Sequence, residues 1–183
     1  MTLREQPVLD HVMIDLETLA TSWDAIVVSI GAAKWNANKI DEGGAFYFVL
    51  DLDDQHELGR RKDDRTVAWW SQQTAQARAV FDAERRPTPE VLNEFTLWLG
   101  PGNVKIWGNG ADFDCSIWGS LYDSFGMKRP WSYSNNRCYR TLKNIARPGH
   151  NLPPRGGTHH NALDDALHQA RCAQAYLKGT LKL

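Results

Sequence analysis

Two carboxylates stand two residues apart near the end of an apolar run, Val12-Met13-Ile14-Asp15-Leu16-Glu17-Thr18. The apolar residues read as a buried strand. A strand alternates its faces with period two, so Asp15 and Glu17 point the same way. Two like charges on one face of a buried strand repel each other, and desolvation adds to the cost. A hard divalent cation between them would remove that cost. The plainer alternative is a strand that runs out into solvent carrying two surface acids. Whether the chain supplies further ligands decides between the two.

Two later stretches offer such ligands. Val104 to Trp107 reads as a short strand, and Gly108-Asn109-Gly110-Ala111-Asp112-Phe113-Asp114 leads from it into a helix with Ile117, Trp118 and Leu121 on one face. Asp114 thus falls just after a strand end at a helix start, a usual place for sites in α/β sheets. Asp112 shares that first turn, where negative charge is favourable in any case. Further on, His159-His160-Asn161-Ala162-Leu163-Asp164-Asp165 places a His and an Asp five apart in two registers, His159 with Asp164 and His160 with Asp165. Ala162, Leu163, Ala166, Ala170, Ala173 and Leu177 form the apolar stripe of a helix expected over His160 to Leu177. At about 100° per residue, Asp165 lies at the edge of that stripe and Asp164 nearly opposite, in solvent. His168 and Cys172 are spaced as half a zinc site, but no second pair completes it.

The elements that must position these groups follow from the rest of the pattern. Ala25 to Trp35 and Gly44 to Leu50 read as a second and third strand, joined by a hairpin connection at Asn36 to Gly43. Three strands in succession predict an antiparallel meander opening a mixed sheet. Asp51 to Asp64 is read as a charged connector. Thr66 to about Arg86 is read as two short helices broken near Gln73-Thr74. Trp69 and Trp70 cannot share a helix face, so one is expected in the core and the other at a boundary. Thr88-Pro89-Glu90 predicts a helix start with Thr88 as N-cap, and Gly100-Pro101 its stop. Asn136 to Ala146 is expected to be a short helix and Arg147 to Thr158 a loop. The order is that of an α/β protein.

Composition sets bounds. The 183 residues suit one domain with a sizeable core. No apolar run approaches the roughly 18 residues of a transmembrane helix, and Met1 to Pro7 lacks a signal-peptide core. Cys115, Cys138 and Cys172 look like reduced thiols of a cytoplasmic protein. A net charge of −1 argues against a large surface that coats nucleic acid irrespective of sequence, though not against a groove gripping a few nucleotides. Eight tryptophans are many for this length, and Trp is enriched at interfaces, which raises a homodimer as an expectation; the rival is that all lie in the core.

Taken together, Asp15-x-Glu17, Asn109-x-x-x-Phe113-Asp114 and His160-x-Ala162-x-x-Asp165 resemble, in order and spacing, the three motifs of the DEDDh (DnaQ-like) 3′–5′ exonucleases. Thr18 matches the residue that often follows the first motif. The resemblance covers roughly the whole chain, 1–183, as a single ribonuclease H-like domain: α/β, with a mixed central β-sheet flanked by α-helices. Trp69-Trp70-x-x-Gln73 and Trp107-Gly108-Asn109-Gly110 look closer to phage DexA-type exonucleases and their bacterial relatives than to proofreading subunits. The second motif departs from proofreading subunits by one extra residue between Asn109 and Asp114, which leaves Asp112 as a rival ligand. Many relatives also carry an Asp where this chain reads Arg137-Cys138-Tyr139-Arg140-Thr141.

The resemblance implies a bacterial or phage-encoded, metal-dependent exonuclease acting on single-stranded DNA or RNA with a free 3′ end and releasing nucleoside 5′-monophosphates. It implies two Mg²⁺ or Mn²⁺ ions per site on Asp15, Glu17, Asp114 and Asp165, hard oxygen ligands suited to those ions. His160 would be the general base, with an ordinary pKa of about 6.5 fitting proton removal near neutrality. Thr18, Leu19, Asn109 and Phe113 would contact the terminal nucleotide. Phe113 or Trp23 could stack on a base or belong to the core; Arg137, Arg140 and Lys143 could touch phosphates or form a solvated face. Two other classes stay open, an inactive ribonuclease H-like nucleic-acid-binding or scaffold protein and an unrelated phosphohydrolase of small nucleotides. The first would be free to lose a carboxylate or the His, and none is missing. The motif order speaks against the second.

Overall fold

The first motif lies on the middle strand of a five-stranded sheet. The computed structural model describes residues 9–146 and 151–180; Met1 to Pro7 and the first part of the expected 147–158 loop lie outside the described residues. β1 (His11–Thr18), β2 (Val27–Trp35), β3 (Phe46–Val49), β4 (Lys105–Gly108) and β5 (Asn136–Cys138) are ordered β3-β2-β1-β4-β5. β1, β2 and β3 form the expected antiparallel meander. β4 is parallel to β1, and β5 is parallel to β4. Each parallel step requires a crossover, and the helices between β3 and β4 and between β4 and β5 provide it.

The first crossover carries α1 (Asp53–Glu57), α2 (Asp64–Ser71), α3 (Ala75–Arg78) and α4 (Thr88–Leu99), and the second carries α5 (Ser116–Ser124); α6 (Tyr139–Ile145) and α7 (Ala162–Thr180) follow β5. A π-helical turn, Ala111–Cys115, precedes α5. The period of two along β1 sorts its side chains between two cores. Val12, Ile14 and Leu16 pack with Leu92 and Phe95 of α4 and Trp118 of α5. Met13 faces the other way, against Ala166, Ala170 and Ala173 of α7. Asp15 and Glu17 continue the Met13 face, so they emerge where the start of α7 crosses the sheet.

Gly31 sets how closely α7 approaches. It lies opposite Asp15 on β2, and a Cβ there would come within 2.2 Å of the Ala162 backbone. No other residue leaves room for that contact. The β1–β2 register slips by one residue between Glu17 and Thr18, and such irregularities re-aim side chains beside sites.

Three departures from the sequence reading lie away from the site. Asp53–Glu57 of the charged connector is a short helix. Residues 136–138 form edge strand β5, so the helix starts only at Tyr139; three residues are too few to show strand periodicity. Thr88 is the first helical residue and not the cap. Its hydroxyl and backbone N–H both reach the Asp54 carboxylate, at 2.8 and 2.7 Å. The break near Gln73-Thr74 falls as expected, with Thr74 capping α3. Trp70 is buried and Trp69 is 40% exposed. Apart from Trp69, only Trp23 among the tryptophans is largely exposed, so the tryptophan excess resides mainly in the core.

Candidate active site

At the end of β1, a cleft of about 840 Å³ opens between α2, the β4–α5 connection, α6 and the start of α7. Asp15, Glu17, Asp114, Asp165 and His160 all line it. The four carboxylates are 9%, 7%, 2% and 9% exposed in that order, so the sequence-distant acids meet at one buried spot.

Each is held by its own element. Asp15 accepts a hydrogen bond from Gln169 Nε2 at 2.7 Å. Asp114 accepts from the backbone N–H of Leu16 at 3.2 Å and of Gly110 at 3.3 Å, which ties the second motif to the first. The π-helical turn carries it there, and a Cβ at Gly108 would lie 2.6 Å from the Cβ of Asp114. Asp112 is exposed and absent from the cleft lining. Asp165 accepts from the His160 backbone N–H at 3.1 Å and pairs with Arg155.

The third motif owes its shape to Asn161. Its Oδ1 accepts from Leu163 N and Asp164 N, each at 3.1 Å, so α7 is capped there and not extended to His160 as the sequence suggested. His160 stays outside the helix, with φ at +63°, in the left-handed region. Its ring meets that of Trp69 edge-on, with centroids 4.8 Å apart. A ring nitrogen of His160 and carboxylate oxygens of Glu17 and Asp165 lie within 4.8 Å of one another. Asp164, expected in solvent, is half-buried and accepts from Thr158 N at 2.7 Å, fastening the preceding loop. His159 is exposed at the cleft rim.

Burial raises the pKa of Asp15 well above the carboxylate range, and Asp114 and Glu17 push it further. Burial and Asp114 lift Glu17 to about 8. Burial lifts Asp114 to about 6, against the backbone N–H groups that favour its charge. Burial, with His159 and Arg155 nearby, holds His160 below its ordinary value. Crowded, desolvated carboxylates are the donor set that a hard divalent cation stabilises. The residues present therefore fit such ions. His168 and Cys172 do meet, 3.6 Å apart, but no third ligand joins them among the described residues.

Thr18, Asn109 and Phe113, read as contacts for a terminal nucleotide, line the cleft. Leu19 does not. It is 7% exposed and packs into a core cluster with Ile26, Val28 and Trp70; the residue after Thr18 points into the layer beneath the cleft. Arg137 also turns away, its guanidinium bonding the carbonyls of Ser134 and Asn136. Among the residues of the cleft that escaped the sequence reading are Gln169, Arg155, Arg65 and Trp69 in its contact with His160. Gln169 had a signal, since it stands one helical turn after Asp165 on the same edge.

Comparison with known proteins now bears on this geometry. The model of the 3′–5′ exoribonuclease Rv2179c-like domain matches residues 10–177. The chain belongs to this family. The match runs through all three motifs, and the Rv2179c-like family assignment agrees with the DEDDh exonuclease resemblance. A comparison with curated proteins finds no match. Among solved structures, the chain is similar to Escherichia coli exonuclease I in complex with a dT13 oligonucleotide, at 15% identity and a TM-score of 0.66. That alignment covers 93% of this chain and 41% of exonuclease I, so the chain spans less than half of that relative's length. It is also similar to the nuclease domain of 3′hExo, a DEDDh family member bound to rAMP, at 13% identity and a TM-score of 0.61. There the alignment covers 94% of both chains. At such identities the likeness shows a shared ribonuclease H-like fold.

Proposed function

We propose that this protein is a metal-dependent 3′–5′ exonuclease of single-stranded nucleic acid, with RNA the first substrate to test. The convergence of four buried carboxylates and His160 on one cleft carries the reading. The family's description as exoribonucleases supports RNA; the oligonucleotide held by exonuclease I keeps DNA as the comparison.

In this reading Asp15, Glu17, Asp114 and Asp165 hold two Mg²⁺ or Mn²⁺ ions, which supply charge neutralisation and nucleophile activation when bound. His160 removes the proton from the attacking water. The water oxygen bonds to phosphorus, the bond to the 3′ oxygen of the preceding nucleotide breaks, that oxygen takes up a proton from solvent to become the new 3′ hydroxyl, and a nucleoside 5′-monophosphate leaves. Gln169 fixes the Asp15 carboxylate, and the Trp69 ring limits where the imidazole can go. Thr18, Asn109 and Phe113 contact the terminal nucleotide, while Leu19 supports Thr18 from below. The three free cysteines suit action in a reducing cytoplasm.

A time course on 5′-labelled single-stranded RNA and DNA with Mg²⁺ or Mn²⁺ tests this. The expected result is a ladder shortening from the 3′ end with release of 5′-monophosphates, abolished by EDTA. Binding without cleavage would mean a scaffold. Turnover of free nucleotides alone would mean a different phosphohydrolase.

A further inference from the structure

Three cations on the walls of the cleft have no ion-pair partner among the described residues. Most cationic side chains of the described chain are engaged. Arg86 pairs with Glu90 and Glu94, Arg171 with Glu42, and Arg155 with Asp165. Arg137 bonds two carbonyls, each at 2.9 Å. Arg140 and Lys143 on α6, and Arg65 on α2, form no ion pair or side-chain hydrogen bond among the described residues. All three line the cleft. Arg140 and Lys143 are three apart on α6 and so share one helix face. The backbone N–H of Arg140 donates to the Asn109 carbonyl at 3.1 Å, which fixes the start of α6 against the second motif.

We propose that Arg140 and Lys143 form a phosphate subsite that grips the single strand on the 5′ side of the bond being cleaved, in the cleft that Arg65 also lines. The proposal rests on the exonuclease reading above. A 3′-terminal nucleotide brings only one phosphate, the one attacked at the carboxylates. Every other phosphate of the strand lies 5′ of it and needs a counter-charge elsewhere. The chain has a net charge of −1, so this counter-charge must be local. Unpaired cations beside an acidic centre meet that need, because a polyanion entering the cleft meets cations that no acid of the described residues already pairs. Arg140 can hold a phosphate in bidentate fashion, and Lys143 acts as a point charge.

The test compares Arg140→Ala, Lys143→Ala, the double variant and Arg137→Ala. Binding of a 12-nucleotide single strand is measured against salt in a Glu17→Gln background, which prevents cleavage. Each subsite variant is expected to lower the slope of log K against log salt by about 0.7, and the double variant by about 1.4. Arg137→Ala should leave it unchanged. With Glu17 restored, the double variant should raise KM for the 12-mer at least tenfold yet cleave a dinucleotide, which has no further phosphate, as well as the parent does. Both side chains are exposed, so folding is not at stake, and unchanged melting temperatures would confirm it. An unchanged slope overturns the subsite, as does an equal loss on the dinucleotide. If the parent cleaves nothing, the exonuclease reading fails, and the salt slope still decides the subsite.

Discussion

His160 is held through its backbone and its ring at once. Its left-handed φ and the hydrogen bond from its N–H to Asp165 fix the backbone, and Trp69 borders the ring. Residues kept in that region cluster at functional sites, where the surroundings over-determine them. If His160 is the base, His160→Ala lowers kcat by roughly 10²–10⁴-fold and leaves Mn²⁺ affinity nearly unchanged. Parallel kcat and Mn²⁺ titrations check this. A matching loss of affinity would make the imidazole a ligand, which its closeness to Glu17 and Asp165 permits. His159→Ala, at the exposed rim, should cost much less. The same assay separates the two acids of the second motif. Asp114→Asn should abolish cleavage, and Asp112→Asn should not, because only Asp114 is buried in the cleft.

At the scale of elements, the site depends on how closely α7 lies against β2. Gly31→Ala would drive a methyl into the Ala162 backbone. The expected cost is about 1–3 kcal/mol, read as a lower melting temperature, together with weaker metal binding as Asp165 is pushed from Asp15. Arg155 competes with a cation for the Asp165 carboxylate, so Arg155→Ala should tighten Mg²⁺ binding by calorimetry; weaker binding would refute the competition. The alternation along β1 and the apolar stripe of α7 were legible in the sequence because each spans several periods. They placed Asp15, Glu17 and Asp165 correctly on their faces. Edge strand β5 was not legible, because it is short and flanked by a helix. The left-handed turn at His160 was hidden too, since no residue type there marks a positive φ at a histidine. The π turn at Ala111–Cys115, which holds one residue more than an α turn, was not legible either, and it carries Asp114 to the Leu16 N–H.

Across the whole molecule, the buried carboxylates couple stability to pH and to metal. Glu17 has its pKa raised from an ordinary 4.5 to about 8 in the folded protein, and Asp15 and Asp114 shift the same way. A raised carboxyl favours folding while protonated, and that contribution disappears as pH rises through the folded pKa. The melting temperature of EDTA-treated protein should therefore fall between about pH 4.5 and about pH 8. Added Mg²⁺ should recover more at the upper end than at the lower. A melting temperature flat across that range, with and without metal, would show that the carboxylates are not so perturbed. The central place of β1 has a further consequence. It pairs with β2 along its length and with β4 over His11–Met13, and is covered on both faces, whereas residues 151–158 have no regular structure and are largely exposed. Amide hydrogen exchange at 12–17 should then require global unfolding, while exchange at 155–160 proceeds through local opening. On warming, the machinery would come apart in two stages: the loop bearing His160 would open first, silencing turnover while the strand carrying Asp15 and Glu17 is still folded.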